Sequence, residues 1–387
     1  MKRTKKSQKK TKFLLLLIVL TAVLSITATY AWFSTQKVVE ISTMRLNIEV
    51  AESLQISLDG ETWTNTITIE NMRQFYGTYG GGTNPHQAKS DDNTNYVPTQ
   101  LLPVSTTGTV ADGKLQFMKA KTVSGKSMVA EKCTEDITKT AEIGDREENN
   151  ALHTYLVFDM YLNNISAQTA GDPLRLAKES KVFVDSTTED IDAGKGTTGT
   201  GLENCVRVAF VPYTDKATPA ATSDGVTVRA INGAESTVSS AVIWEPNHLD
   251  HTATALANTT RTITMDEETG KAEAAVPTFG VIYAASEVTV SNTDAATATE
   301  GVTAAQTVLT PTYDETGTTA EAALTNVTLP QNTITKVRTY IWIEGQDVDC
   351  INTASMGGML QVKLKLDKAE NNTGTDNTYT GTGTENT

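Results

Sequence analysis

"STMRLNIEV", residues 42–50, decides the fold class. Met44, Leu46, Ile48 and Val50 fall on one face of an extended chain, with Arg45, Asn47 and Glu49 on the other. An apolar residue at every second position is the period of a strand with one buried face. A helix would space its apolar residues three and four apart. The segment therefore reads as a half-buried β-strand.

The alternation continues outward. In SLQISLDG (53–60), Leu54, Ile56 and Leu58 precede an Asp-Gly turn signal. WTNTITIE (63–70) adds Trp63, Ile67 and Ile69. TYLVFDMYLNN (154–164) carries Leu156, Phe158, Met160 and Leu162 on one face and Tyr155, Val157 and Tyr161 on the other. A strand apolar on both faces is a central one. Further candidates are KVFV (181–184), CVRVAFVPY (205–213), SAVIWE (240–245), TRTITM (260–265), FGVIYAASEVTV (279–290), ITKVRTYIWIEG (334–345) and MLQVKLKLD (359–367). Many short strands separated by Gly, Asn, Asp and Thr predict an all-β chain folded as a β-sandwich.

Helical periodicity is scarce; the best place for a short helix is 128–156, and even that stretch reads more like a polar excursion. Threonine and alanine dominate from about 215 to 330 with few aromatics, which fits long Thr-rich insertions decorating the sandwich. The strongest strand patterns lie at the two ends of 44–368, so one core closed by its terminal strands is expected. The tail, 369–387, has almost no apolar content and is expected to stay disordered.

The N-terminus carries a different instruction. MKRTKKSQKKTK (1–12) has seven basic side chains and no acid, and FLLLLIVLTAVLSI (13–26) is uncharged. That is the layout of a secretory signal, here 1–31, with everything beyond it exported. At the junction TATYAWFSTQKVV (27–39), Thr29 and Ala31 are the small residues before a cut between Ala31 and Trp32. The uncharged run from Phe13 to Gln36 is also long enough to remain as a helical membrane anchor, which takes about 20 residues. Both outcomes stay open. Losing residues 1–12 moves the formal charge from −14 to −21, which disfavours nucleic acid as a partner and favours solubility.

Catalytic motifs are absent: there is no HExxH, GxSxG or Walker loop, and the chain does not read as an enzyme. NHLDH (247–251) would bring His248 and His251 to one metal if it were helical, with Asp250 between them, although a surface loop is the commoner meaning. Calcium is the one cofactor the acidic turns leave open. Asp185, Glu189, Asp190 and Asp192 crowd DSTTEDIDAG (185–194), and Asp347 and Asp349 flank the turn in WIEGQDVDC (342–350). In each place a solvated acidic turn is the competing reading. Three cysteines, Cys133, Cys205 and Cys350, allow one disulfide at most, and Cys205 with Cys350 is the preferred pair because both adjoin strand-like runs. Phe75, Tyr76 and Tyr79 beside the Gly-rich YGTYGGGTNP (76–85) form a candidate contact patch for sugar or protein. Sequons occur at Asn164, Asn258 and Asn326.

TATYAWFSTQ (27–36) resembles the start of TasA and camelysin-like exported proteins of Gram-positive bacteria, and RTYIWIEGQDVDCINT with MLQVKLKL resembles the closing strands of exported proteins bearing such signals. The resemblance implies a jelly-roll-like sandwich whose signal is removed by a dedicated peptidase. It implies a subunit of a surface fibre or biofilm matrix, a head-to-tail homopolymer in which the N-terminal segment of one copy enters the sheet of the next. Here that donor segment is WFSTQKVVEIST (32–43), with Phe33, Val38, Val39 and Ile41 as the β-prone side chains. Strand addition supplies backbone hydrogen bonds and covers an exposed edge. Two alternatives remain: the segment as a strand paired in cis, and the protein as a membrane-anchored monomeric adhesin or carbohydrate-binding β-sandwich held through residues 13–33. The casein cleavage associated with camelysins is not carried over, because no zinc-protease motif is present.

Overall fold

Alternating apolar residues, each strand satisfied by its neighbours, assemble two large sheets in the computed structural model. It describes residues 39–40, 44–51, 53–76, 97, 100–111, 114–123, 127–132, 152–153, 155–165, 171–185, 201–217, 228, 231, 241–258, 263–268, 271–272, 289–290, 307–309, 322–345, 347–350 and 359–368. The strands of the two sheets are β1 (Arg45–Val50), β2 (Leu54–Ser57), β3 (Thr66–Thr68), β4 (Tyr155–Asn164), β5 (Asp172–Leu176), β6 (Lys181–Asp185), β7 (Val206–Ala217), β8 (Val242–Trp244), β9 (Thr307–Leu309), β10 (Ala322–Leu329), β11 (Ile334–Ile343) and β12 (Met359–Lys368).

One sheet runs in the order β9-β8-β7-β11-β4-β2, antiparallel except for the β8–β9 pair. The other runs β10-β5-β12-β1-β3, with β6 also paired to β12. The first and last of these strands lie side by side in parallel, Arg45 opposite Gln361 and Val50 opposite Leu366. The alternating positions of 44–50 all point inward, and a single core of Leu46, Ile48, Phe158, Met160, Ile341 and Leu364 fills the space between the sheets. The chain is an all-β sandwich.

β4, β7 and β11 are buried on their second face as well. There Val157, Val211, Tyr340 and Trp342 pack beneath Leu115 and Phe117. These last two come from a hairpin of Ser105–Ala111 and Lys114–Val123. The Phe117 ring stacks on Tyr155 at 4.5 Å and meets Trp342 edge-on at 5.2 Å. Two covered faces explain why TYLVFDMYLNN is apolar on both sides.

Three local expectations are corrected. The stretch 128–156, the best place for a short helix though closer to a polar excursion, begins instead as a strand, Ser127–Lys132 paired with Lys114–Val123. Pairing with a neighbouring strand outweighs weak local helix preference. Strand β3 stops at Thr68, and helix α1 (Ile69–Tyr76) begins where the sequence pattern still read as strand. The Thr68 hydroxyl accepts the Asn71 N–H at 3.2 Å while the Asn71 side chain accepts the Thr68 N–H at 2.9 Å, a reciprocal cap that starts the helix. Finally, within TRTITM, Met265 makes only an isolated bridge to Ala272.

The Asp-Gly signal at 59–60 does form a turn. Asp59 accepts N–H groups of Glu61 and Thr62 at 2.8 and 2.7 Å, and the Ser57 hydroxyl at 2.9 Å. Burial alone would raise the Asp59 carboxyl, but these bonds outweigh it and hold the group below its usual range. Gly60 has φ +71, and a Cβ there would run into the Val228 side chain. Gly60→Ala therefore loses at least about 1–2 kcal/mol, the left-handed backbone penalty alone. Urea unfolding of the two chains measures it, and an unchanged midpoint would refute this account of the turn.

Candidate functional site

Strand ends place the chemistry. Two stretches far apart in sequence, NHLDH after β8 and GQDVDC after β11, meet at one end of the first sheet beside the 3-10 turn Leu202–Cys205 that precedes β7. At the centre is Arg207, 1% exposed and opposite Trp342 in the β7–β11 register. Its Nε donates to Glu245 at 3.0 Å, its Nη2 to Asp347, and its Nη1 to the carbonyls of Asn204 and Val206. Burial would lower the Arg207 pKa, but Glu245, Asp347 and Glu344 around it raise it beyond its ordinary value. Burial pushes the Asp347 carboxyl up, and the nearby Asp349 adds to this while Arg207 opposes it.

Asp349 is fully buried and joins the two stretches. One oxygen accepts both the N–H and the hydroxyl of Thr252 at 2.8 Å, and the other meets His251 Nδ1 at 2.7 Å. The Thr252 hydroxyl in turn accepts the Ala255 N–H at 3.2 Å, capping helix α2 (Ala253–Asn258). Gly201, at φ +85, lets the chain pass over this group, since a Cβ would lie 2.8 Å from Asp349 Oδ1.

Beside it opens a cleft of about 440 Å³ lined by Glu203, Asn204, Asn247, Asp250, His251, Thr252 and Ala253. Among the described residues, two buried polar atoms of its lining have no hydrogen-bond partner, His251 Nε2 and Glu203 Oε2. Burial raises the Glu203 carboxyl, and the charges of Asp349 and Asp250 raise it further. Asp250 is paired with Lys271 at 2.6 Å nearer the surface. Burial lowers the His248 imidazole.

Several candidates from the sequence thus converge and others do not. Asp347, Asp349 and His251 come within 4.8 Å of one another. His248 and His251 do not share a helix, because α2 begins only at Ala253. Cys205 and Cys350 are both buried thiols, within hydrogen-bonding reach of each other; burial and then the neighbouring Cys350 push the Cys205 thiol well up. Asp185 ends β6, whereas Glu189, Asp190, Asp192, Cys133, Tyr79, Ala31, Trp32, Phe33, Val38 and Ile41 lie outside the described residues. Phe75 packs against the main core. Asn164 is fully buried with its Nδ2 donating to the Leu329 carbonyl at 2.8 Å, which denies that sequon to a glycan. Sequence reasoning missed Glu203, Arg207 and Glu245, because nothing local distinguishes a buried charge from a solvated one at a strand end.

No family model matches the chain, and neither a curated protein nor a solved structure matches it.

Proposed function

We propose that this protein is a secreted structural subunit of a bacterial surface fibre or extracellular biofilm matrix, built from a jelly-roll-like sandwich and assembled by exchange of its N-terminal strand. The signal at 1–31 is cut between Ala31 and Trp32, freeing residues 32–43. One observation carries the reading. Within the candidate donor segment, Val39–Glu40 is a strand that pairs antiparallel with Gln100–Leu101, Val39 opposite Leu101. Gln100–Leu101 in turn pairs with Leu152–His153. The segment therefore has an acceptor edge within its own fold, and every other copy offers the same edge. A two-residue pairing is short, and trading it for the identical pairing in a neighbour is the low-barrier route of strand swapping. Repeated head to tail, the operation does not close and gives a filament.

Cysteine trapping tests the direction of pairing. Full-length chains carrying Val39→Cys or Leu101→Cys, each with Cys133→Ser, are exported separately, mixed and oxidised. Covalent dimers that need both variants are the expected result. A cross-link that forms only inside the double variant, with the mixture monomeric, overturns the exchange and favours the anchored adhesin or carbohydrate-binding module.

A further inference from the structure

The turn that carries Asp347 and Asp349 ends in Cys350, and it folds onto the 3-10 turn that ends in Cys205. The Cys205 carbonyl accepts the Glu344 N–H at 2.7 Å, and the Cys350 N–H closes its own turn on the Asp347 carbonyl at 3.0 Å. The two turns also touch at Gly201, where a Cβ would come within 3.1 Å of the Asp349 Cβ. Both cysteine side chains belong to the main core, at 0% exposure for Cys205 and 7% for Cys350, and the thiols are within hydrogen-bonding reach of each other.

A buried thiol is usually an inert core residue, so the surroundings must say more. Burial raises the Cys205 thiol, and Cys350, Asp347 and Asp349 raise it further. A nucleophile or a metal ligand has to be a thiolate, and this place disfavours one. A disulfide carries neither charge nor donor and suits it. The Cys205 thiol, which donates to the Gly201 carbonyl at 3.2 Å, gives up that bond, but the same oxygen still accepts the Asn204 N–H at 3.1 Å.

We propose that Cys205 and Cys350 form a disulfide that fastens the 347–350 turn to the start of β7, at the end of the sheet where Arg207 and the cleft lie. The oxidant is a small disulfide such as oxidised glutathione. One cysteine thiolate attacks it, displaces a glutathione thiolate and leaves a mixed disulfide on the protein. The second cysteine thiolate attacks that protein sulfur, forms the Cys205–Cys350 bond and displaces the other glutathione thiolate. Two protein thiols are oxidised, one glutathione disulfide is reduced, and the two protons pass to the departing thiolates. Closing so long a loop restricts the unfolded chain and stabilises the fold. The assignment depends neither on export nor on strand exchange.

The full chain, purified in detergent and reduced, is equilibrated in glutathione buffers from reducing to oxidising. It is then quenched with acid, alkylated in urea and mapped by mass spectrometry without reduction. Three cysteines allow three pairings, and Cys205 with Cys350 is the expected dominant one, with Cys133 joined to neither. Urea unfolding of the oxidised chain is expected at a higher midpoint than that of the reduced chain, the folding equilibrium moving about 30-fold or more towards the folded state. Cys133→Ser leaves both results unchanged. The proposal is overturned if Cys205 and Cys350 stay reduced or capped by glutathione in the most oxidising buffer, or if the dominant pair includes Cys133. An oxidised chain that unfolds at the same or lower urea overturns it as well.

Discussion

An Arg207→Met chain unfolds about 3–5 kcal/mol more easily than the parent near neutral pH, because one guanidinium holds together three buried acids from two separate strand ends. Glu245 follows β8, Asp347 and Glu344 follow β11, and all three are 6% exposed or less. Methionine keeps much of the side-chain length and removes only the charge and its donors. The carboxylates then stay buried without their cation. The pH dependence has a definite sign. The Asp347 carboxyl is already raised in the folded state, and losing Arg207 raises it further. A carboxyl with a raised folded pKa binds its proton more readily folded than unfolded, so stability falls as pH rises through the interval between the two values. The deficit of Arg207→Met is thus largest near neutrality and shrinks as pH drops towards about 4, the ordinary carboxylate value. Urea melts at several pH values measure both effects. A deficit under 1 kcal/mol (about the value of an exposed pair), or one that grows on acidification, would sink the argument.

Trp342→Ala is expected to lose about 3–5 kcal/mol or to prevent folding. Trp342 is fully buried on β11, between β4 and β7, and contacts the covering hairpin through Phe117. Its Nε1 donates to Glu344 at 3.1 Å, which ties the second core to the charged cluster. Trp342→Phe separates the two roles. It retains most of the ring contact and removes the donor, for a loss of about 1.5–3 kcal/mol typical of a hydrogen bond to a charged group. Calorimetric melting of both variants decides it, and equal losses would mean that ring packing contributes little beyond the hydrogen bond.

The strands were legible because burial on one face imposes a period of two on the residues themselves. STMRLNIEV, KVFV, ITKVRTYIWI and MLQVKLKL all appear where alternation put them. The start of α1 was less legible, since Thr68 and Asn71 cap each other only once the chain has turned. Strand 127–132 was hidden because its pairing partner, not its own composition, holds it extended.

For the site the division is sharper. NHLDH and WIEGQDVDC each drew notice as short polar runs at strand ends, and their residue types alone named imidazole and carboxylate chemistry. That Asp349 belongs to His251 and Asp347 to Arg207 was decided by tertiary structure. The β7–β11 pairing sets Arg207 opposite Trp342, and a contact spanning about a hundred residues of chain leaves no trace in local spacing. The sequence by itself determined which faces are apolar, hence an all-β sandwich, because hydrophobic burial acts residue by residue. The fold alone determined which buried charges meet, because only strand register brings them within reach of each other.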